Sequence, residues 1–284
     1  MLEAANALQA KRTDDSGGGI RIVVTGKGGV GKTTLSALLA KLFVRDGIRV
    51  LAVDEDPQQN LAFSLGYPKE KAKDIIPLSQ NLDYIEEKTG ARPGVGWGLM
   101  LTLNPNVADV VDRFGIPIEE GLDLLVMGSV VQAATGCLCP ENALLESVIR
   151  YIRLRNDEAI ILDTQAGVEH FGRALAEGFS QTIVVTEPGF NSVQVALHSA
   201  ELASQLNIPA IYLVVNKVRN ESDRKKVEHL LGTDHPFAAV FYLPYDDAVL
   251  DTEPDVTQLL DGGRTFTNGI REIYARVSSC PPTS

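Results

Sequence analysis

Apolar residues in this chain gather into short, almost unbroken runs, and polar residues break up the longer stretches between them. The runs occupy 20–25, 49–54, 122–127, 159–163, 182–186, 211–216 and 238–243. Rich in Val, Ile and Leu with little alternation, they predict strands covered on both faces. Over 31–45, 141–155, 169–178, 193–206, 222–231 and 265–277 apolar positions recur at helical spacing instead. Strands alternating with helices predict an α/β fold: a single doubly wound, mostly parallel sheet with helices on both faces. In such a sheet ligands bind at the carboxyl ends of the strands. The stretch 67–107 is the least regular, broken by Pro68, Pro77, Pro93 and Pro105. It reads as an insertion of loops and short helices around one short strand at 99–103. The expected organisation is a mobile N-terminal tail at 1–19, one domain at 20–279 and a C-terminal tail at 280–284.

The 284 residues suffice for one generous domain, and an apolar content of 44% supports a packed core. A net charge of −11 argues against a basic nucleic-acid surface, so no nucleic-acid partner is expected. No apolar run reaches the length of a membrane span, and residues 1–19 lack the apolar core of a secretory signal. Three cysteines make no disulfide framework, which fits a reducing, cytoplasmic setting without stable membrane association.

The chemistry starts after the first strand, where residues 26–34 read Gly-Lys-Gly-Gly-Val-Gly-Lys-Thr-Thr. Strand, glycine-rich turn and helix form the context of a Walker A phosphate loop. Backbone N–H groups of Gly28, Gly29, Val30, Gly31, Lys32, Thr33 and Thr34 are expected to turn inward on a phosphate, helped by the helix dipole. Lys32 reaches the β- and γ-phosphates in this reading, and Thr33 puts its hydroxyl on Mg²⁺. A lysine in the first turn of a helix, where the dipole disfavours cations, is hard to explain without an anion there. Lys27 adds a second lysine just after the first glycine. Taken alone it reads equally as an exposed loop residue.

With Lys27 included, the loop resembles the deviant Walker A motif of the MinD/ParA/nitrogenase iron protein class of dimeric ATPases. The resemblance implies that Lys27 reaches the partner's nucleotide across a homodimer interface. It also gives roles by position to later strand ends. In Asp54-Glu55-Asp56, Asp54 supports the Mg²⁺ shell near Thr33 and Asp56 orients or deprotonates the attacking water. In-line attack on a phosphoryl group needs such a positioned acceptor. In Asp163-Thr164-Gln165-Ala166-Gly167, Asp163 holds Mg²⁺ through water and the Gly167 amide senses the γ-phosphate. Asn216 and Lys217 end a further strand. Guanine-specific relatives carry Asp three residues after the Asn, whereas Arg219 stands there in this chain, so ATP/ADP is the expected nucleotide. Pro244 and Tyr245 resemble the segment that closes on the adenine.

A second distinctive motif is Gly136-Cys137-Leu138-Cys139-Pro140-Glu141-Asn142. Pro140 suits the first turn of a helix, so both thiols precede a helix N-terminus, which favours thiolate. Two readings stay open on the residues alone: two small buried hydrophobes, or half of a four-sulfur site completed by a second copy, suited to Zn²⁺ or Ni²⁺. Together the two motifs resemble the nickel-insertion ATPases of carbon monoxide dehydrogenase and acetyl-CoA synthase (the CooC/AcsF type) over about residues 20–277. That family implies a homodimer holding one Ni²⁺ between Cys137 and Cys139 of each protomer, with Zn²⁺ able to take the same place. It also implies a nickel-enzyme client and ATP hydrolysis coupled to metal delivery. The alternative is a MinD/ParA-type switch acting on a membrane or a partner protein. Against it, the last helix carries only Arg271 and Arg276 as basic residues. Cys280 has no partner in sequence.

Overall fold

The computed structural model describes residues 19–93, 101–128, 140–152, 158–167 and 178–279. The expectations for the N-terminal tail, Cys137, Cys139, Cys280 and, save its last residue, the helix over 169–178 lie outside these residues. Eight strands form one sheet: β1 (Arg21–Gly26), β2 (Val50–Asp54), β3 (Ile116–Glu119), β4 (Leu122–Val126), β5 (Ala159–Asp163), β6 (Gln181–Thr186), β7 (Ala210–Val218) and β8 (Ala239–Pro244). Their order is β3-β4-β2-β5-β1-β6-β7-β8. Every neighbouring pair is parallel except β3–β4.

The long apolar runs became the buried strands. β1, β2, β5 and β6 are buried at every position, because helices cover both faces and no strand residue meets water. One expectation over the insertion differs from the structure, and one strand beyond it is additional. Residues 101–103 form no strand; the Thr102 amide donates a single bond to the Thr89 carbonyl (2.8 Å), too little for a ladder. The added strand is β3, Ile-Pro-Ile-Glu, an antiparallel edge strand. Its alternation spans only four residues and includes Pro117, which an edge strand tolerates and a central strand does not.

Six described helices have eight residues or more: α1 (Lys32–Arg45), α2 (Leu82–Thr89), α3 (Pro140–Ile152), α4 (Phe190–Gln205), α5 (Glu221–Leu231) and α6 (Thr265–Ser278). α1 and α6 bury Leu35, Leu38, Phe43, Phe266, Ile270 and Ile273 against one face of the sheet. α2 to α5 bury Ile85, Leu144, Val193, Val227 and their neighbours against the other. Each fully buried Val, Leu or Ile contributes roughly 1.5–3 kcal/mol, so the central strands make a rigid base. Asn81 caps α2 through the Tyr84 amide, and Asn220 caps α5 through the Asp223 amide. The chain runs from β1 through α1 to β2 on one side, and later from β5 to β6 on the other side of β1. The crevice at this reversal, above the carboxyl ends of β1, β2 and β5, is where such sheets bind ligands.

Candidate nucleotide site

The phosphate loop joins β1 to α1, and its glycines are required by geometry. Gly26 has φ +142°, and a Cβ there would lie on the Val185 carbonyl oxygen. Gly31 has φ +99°, and its Cβ would come within 2.5 Å of the Asn216 side-chain nitrogen. Only glycine adopts such φ values without cost. α1 starts with no side-chain cap and no acidic residue in its first turn. Its leading N–H groups are therefore available to an anion. Lys32 is only 7% exposed; its Nζ donates to the Lys27 carbonyl at 3.3 Å. Burial lowers its pKa, with Asp163 and Asp56 pulling the other way.

Beside Lys32 lie the carboxylates that end β2 and β5. Strand register sets Asp54 directly against Asp163, and both are buried. Asp163 accepts the Thr33 hydroxyl at 2.7 Å and the Ser36 hydroxyl at 2.9 Å. Asp54 accepts the Asp56 amide at 2.9 Å and the Leu61 amide at 3.1 Å. Burial pushes the Asp163 pKa up to about 6, against the pull of Thr33, Ser36 and Lys32. Burial and the charge of Asp163 hold Asp54 well above the usual carboxylate range. The Asp163 carboxylate and the Thr33 hydroxyl are hard oxygen donors, with Asp54 beside them. This set fits Mg²⁺, which binds through one or two carboxylates and completes its shell with water and phosphate oxygens.

Over these groups opens a cavity of about 720 Å³, large enough for a nucleoside triphosphate. It is lined by Gly28, Gly29, Gly31, Lys32, Thr33 and Thr34 of the loop and α1, by Asp56 and Gln165, and by a wall of Phe63, Ser64, Glu253 and Val256. A family model, the CobQ/CobB/MinD/ParA nucleotide binding domain, matches residues 21–254. The chain belongs to this family. An uncharacterised ATP-binding protein of Methanocaldococcus jannaschii is 39% identical over 234 residues, 82% of this chain and 88% of the relative. The carbon monoxide dehydrogenase accessory protein CooC of Rhodospirillum rubrum is 37% identical over 230 residues, 81% of this chain and 85% of its own length. Among solved structures, MinD of Pyrococcus horikoshii complexed with Mg-ADP superposes with a TM-score of 0.62 at 20% identity, covering 92% of this chain and 96% of that one. The MinC:MinD complex of Aquifex aeolicus gives 0.63 at 20% identity, covering 93% and 98%. These last two likenesses concern the fold.

Within this MinD/ParA-type site the sequence-predicted residues are placed differently. Gly28, Gly29, Gly31, Lys32, Thr33, Thr34 and Asp56 line the cavity, and Asp54 and Asp163 lie beside it. Asn216 and Lys217 act on the loop's carbonyls: the Asn216 amide donates to Val30 at 2.9 Å and Lys217 Nζ to Gly29 at 2.6 Å. They are not among the cavity-lining residues, and neither are Pro244 and Tyr245. Pro244 ends β8, and the Tyr245 amide donates to Val218 at 2.9 Å while Arg219 lies over its ring. The Gly167 amide faces the Gly26 carbonyl at 3.4 Å, so a bond to phosphate would exchange one acceptor for another. Lys27 is exposed. Sequence reasoning missed Ser36, Glu187 and the cavity wall. Ser36 was within reach, three residues after Thr33 on α1. Glu187, 3.7 Å from Lys217, and the wall residues come together only through tertiary packing. Among the described residues, no group of three or more His, Cys, Asp or Glu is arranged to hold a metal by itself. None of the described helices is long and apolar enough to cross a membrane.

Proposed function

We propose that this protein is an ATPase that couples ATP hydrolysis to the delivery of nickel into carbon monoxide dehydrogenase or acetyl-CoA synthase. The observation carrying the ATPase part is the convergence of Thr33, Ser36 and Lys32 on Asp163 beneath the phosphate loop, with Asp56 at the cavity's edge. Thr33 and Asp163 would hold Mg²⁺ there, with Asp54 beside Asp163, and the ion would supply charge neutralisation on the phosphates. Lys32 exchanges the Lys27 carbonyl for phosphate oxygens, gaining an anionic partner for a buried ammonium. Asp56 accepts a hydrogen bond from the attacking water and sets its line of approach. Asn216 and Lys217 hold the carbonyls of Val30 and Gly29 away from the phosphates, leaving the loop's N–H groups facing inward. Exposed Lys27 is free to act on the nucleotide of a second copy.

The nickel part is supported by the relative CooC, named as a carbon monoxide dehydrogenase accessory protein, and by the Cys137-Leu138-Cys139 motif. One chain supplies two thiolates; two chains related by a dimer axis supply the four that Ni²⁺ or Zn²⁺ favours. The MinD-like alternative places a membrane or partner contact at the C-terminal helix. Phe266, Ile270, Ile273 and Val277 of α6 are buried in the core, which supports the nickel reading over membrane attachment. The test is titration of Ni²⁺ and Zn²⁺ into wild type and a Cys137→Ser/Cys139→Ser double variant, followed by thiolate absorbance and size. One metal per dimer in wild type and none in the variant is the expected result. One metal per isolated monomer, or undiminished binding in the variant, refutes the shared site.

A further inference from the structure

Asp54 is a junction. It is fully buried, and three of its atoms hold three separate stretches of chain. One carboxylate oxygen accepts the Asp56 amide at 2.9 Å, and the other accepts the Leu61 amide at 3.1 Å. The loop between them, bearing Asp56, is thus tied at both ends to one side chain. On its opposite side the Asp54 carbonyl accepts the Met127 amide at 2.9 Å and the Gly128 amide at 3.4 Å, beyond the end of β4. Gly128 is clamped in turn: a Cβ there would meet Ser79 Oγ at 2.6 Å and Pro77 Cβ at 2.8 Å, at φ +66°.

We propose that Asp54 is a positioning residue that sets Asp56 for attack and ties the catalytic loop to the Met127–Gly128 end of β4, rather than a member of the magnesium shell. The inference rests on the hydrolysis reading above, and assigns Asp54 another part in it. A carboxylate suits the task because it only accepts, so it satisfies two amide donors at once. Asparagine would present an N–H₂ group to one of those donors and release one end of the loop.

The first experiment measures ATP turnover of Asp54→Asn against both ATP and Mg²⁺ concentration, with thermal melting alongside. Positioning through Asp56 predicts kcat lower by about tenfold or more, with the KM for ATP and the Mg²⁺ requirement within about threefold of wild type. Recovery of kcat at high Mg²⁺ would assign Asp54 to the magnesium shell and overturn the proposal, as would unchanged turnover. Should the variant fail to fold, Gly128→Ala leaves the Asp54 carboxylate intact while forcing the strand end off its carbonyl. Faster amide exchange at Met127 and Gly128 with a lower kcat is then expected, and faster exchange with unchanged kcat would refute the tie. If wild type proved unable to hydrolyse ATP, the hydrolysis reading would fail separately. Amide exchange of Asp56 and Leu61 in Asp54→Asn would still decide the holding role: acceleration supports it and no change overturns it.

Discussion

Replacing Lys32 by Met should abolish nucleotide binding without weakening the free protein. The ammonium is buried at the N-terminus of α1, where both desolvation and the helix dipole oppose its charge. Its pKa is lowered accordingly, with Asp163 and Asp56 offsetting burial in part. A lysine whose pKa is lowered on folding carries its charge at a cost in the unliganded state at neutral pH, so removing that charge costs no stability. Bound phosphate reverses the sign. Two charge-assisted hydrogen bonds contribute about 1.5–3 kcal/mol each, so their loss weakens affinity by roughly 10²–10⁴-fold. At a MgADP concentration 100 times Kd, wild type gains about 2.7 kcal/mol, a rise in Tm of about 5 °C or more for a chain of this size. The assay is calorimetric melting with and without MgADP, backed by titration. Expected are an unliganded Tm equal to or above wild type and no MgADP shift. An unliganded variant melting many degrees lower would make Lys32 a structural counter-ion of Asp163. A retained MgADP shift would remove it from the phosphate site.

Asp56→Asn should keep MgADP affinity while lowering kcat by about 10²–10⁴-fold; full turnover in a steady-state phosphate-release assay would take Asp56 out of the reaction. Gly26→Ala should destabilise the fold by about 3 kcal/mol or more, because its Cβ has no room against the Val185 carbonyl at φ +142°; a Tm within a degree of wild type would contradict the geometry. Asp109 provides a pH test remote from the site. Burial raises its pKa, but hydrogen bonds from Lys88, Arg113 and Tyr84 outweigh that and bring it from 3.8 to about 2. A depressed carboxylate stabilises the fold fully above its unfolded pKa, and the gain disappears as pH falls from about 4 through about 2. Its side chain is 35% exposed, so screening limits the contribution to about 1 kcal/mol. Asp109→Asn should therefore lower stability in denaturant melts by about 1 kcal/mol above pH 5 and flatten the acid limb of the stability curve between those pH values, the two proteins converging near pH 2; equal stability at pH 7 would refute it.

The fold was legible because its main determinant is local. A strand buried on both faces must be apolar throughout, which made the central strands stand out; with the half-buried edge strand β8, seven of the eight appeared as apolar runs within a residue or two of their observed bounds. β3 did not, since a four-residue edge strand half in water has too short a pattern to tell from a turn. The phosphate loop was legible for a similar reason: its glycines, lysine and threonine are contiguous, and each is demanded by backbone geometry or phosphate chemistry.

Contiguous requirements could be read along the chain: the buried strands, the helices between them, and the loop at 26–34. Tertiary structure decided everything that joins distant segments. Only the β2–β5 register sets Asp54 against Asp163, 109 residues apart in the chain, and so adds the charge of Asp163 to the burial that raises Asp54. Only packing brings Glu253 and Val256 together with Phe63 to line one cavity. Asn216 and Lys217 were legible as nucleotide residues, yet in space they grip the carbonyls of Val30 and Gly29. The physical reason is the same in each case. A spacing along the chain records which face of an element a residue occupies, whereas hydrogen-bond partners and burial depend on which other element lies opposite.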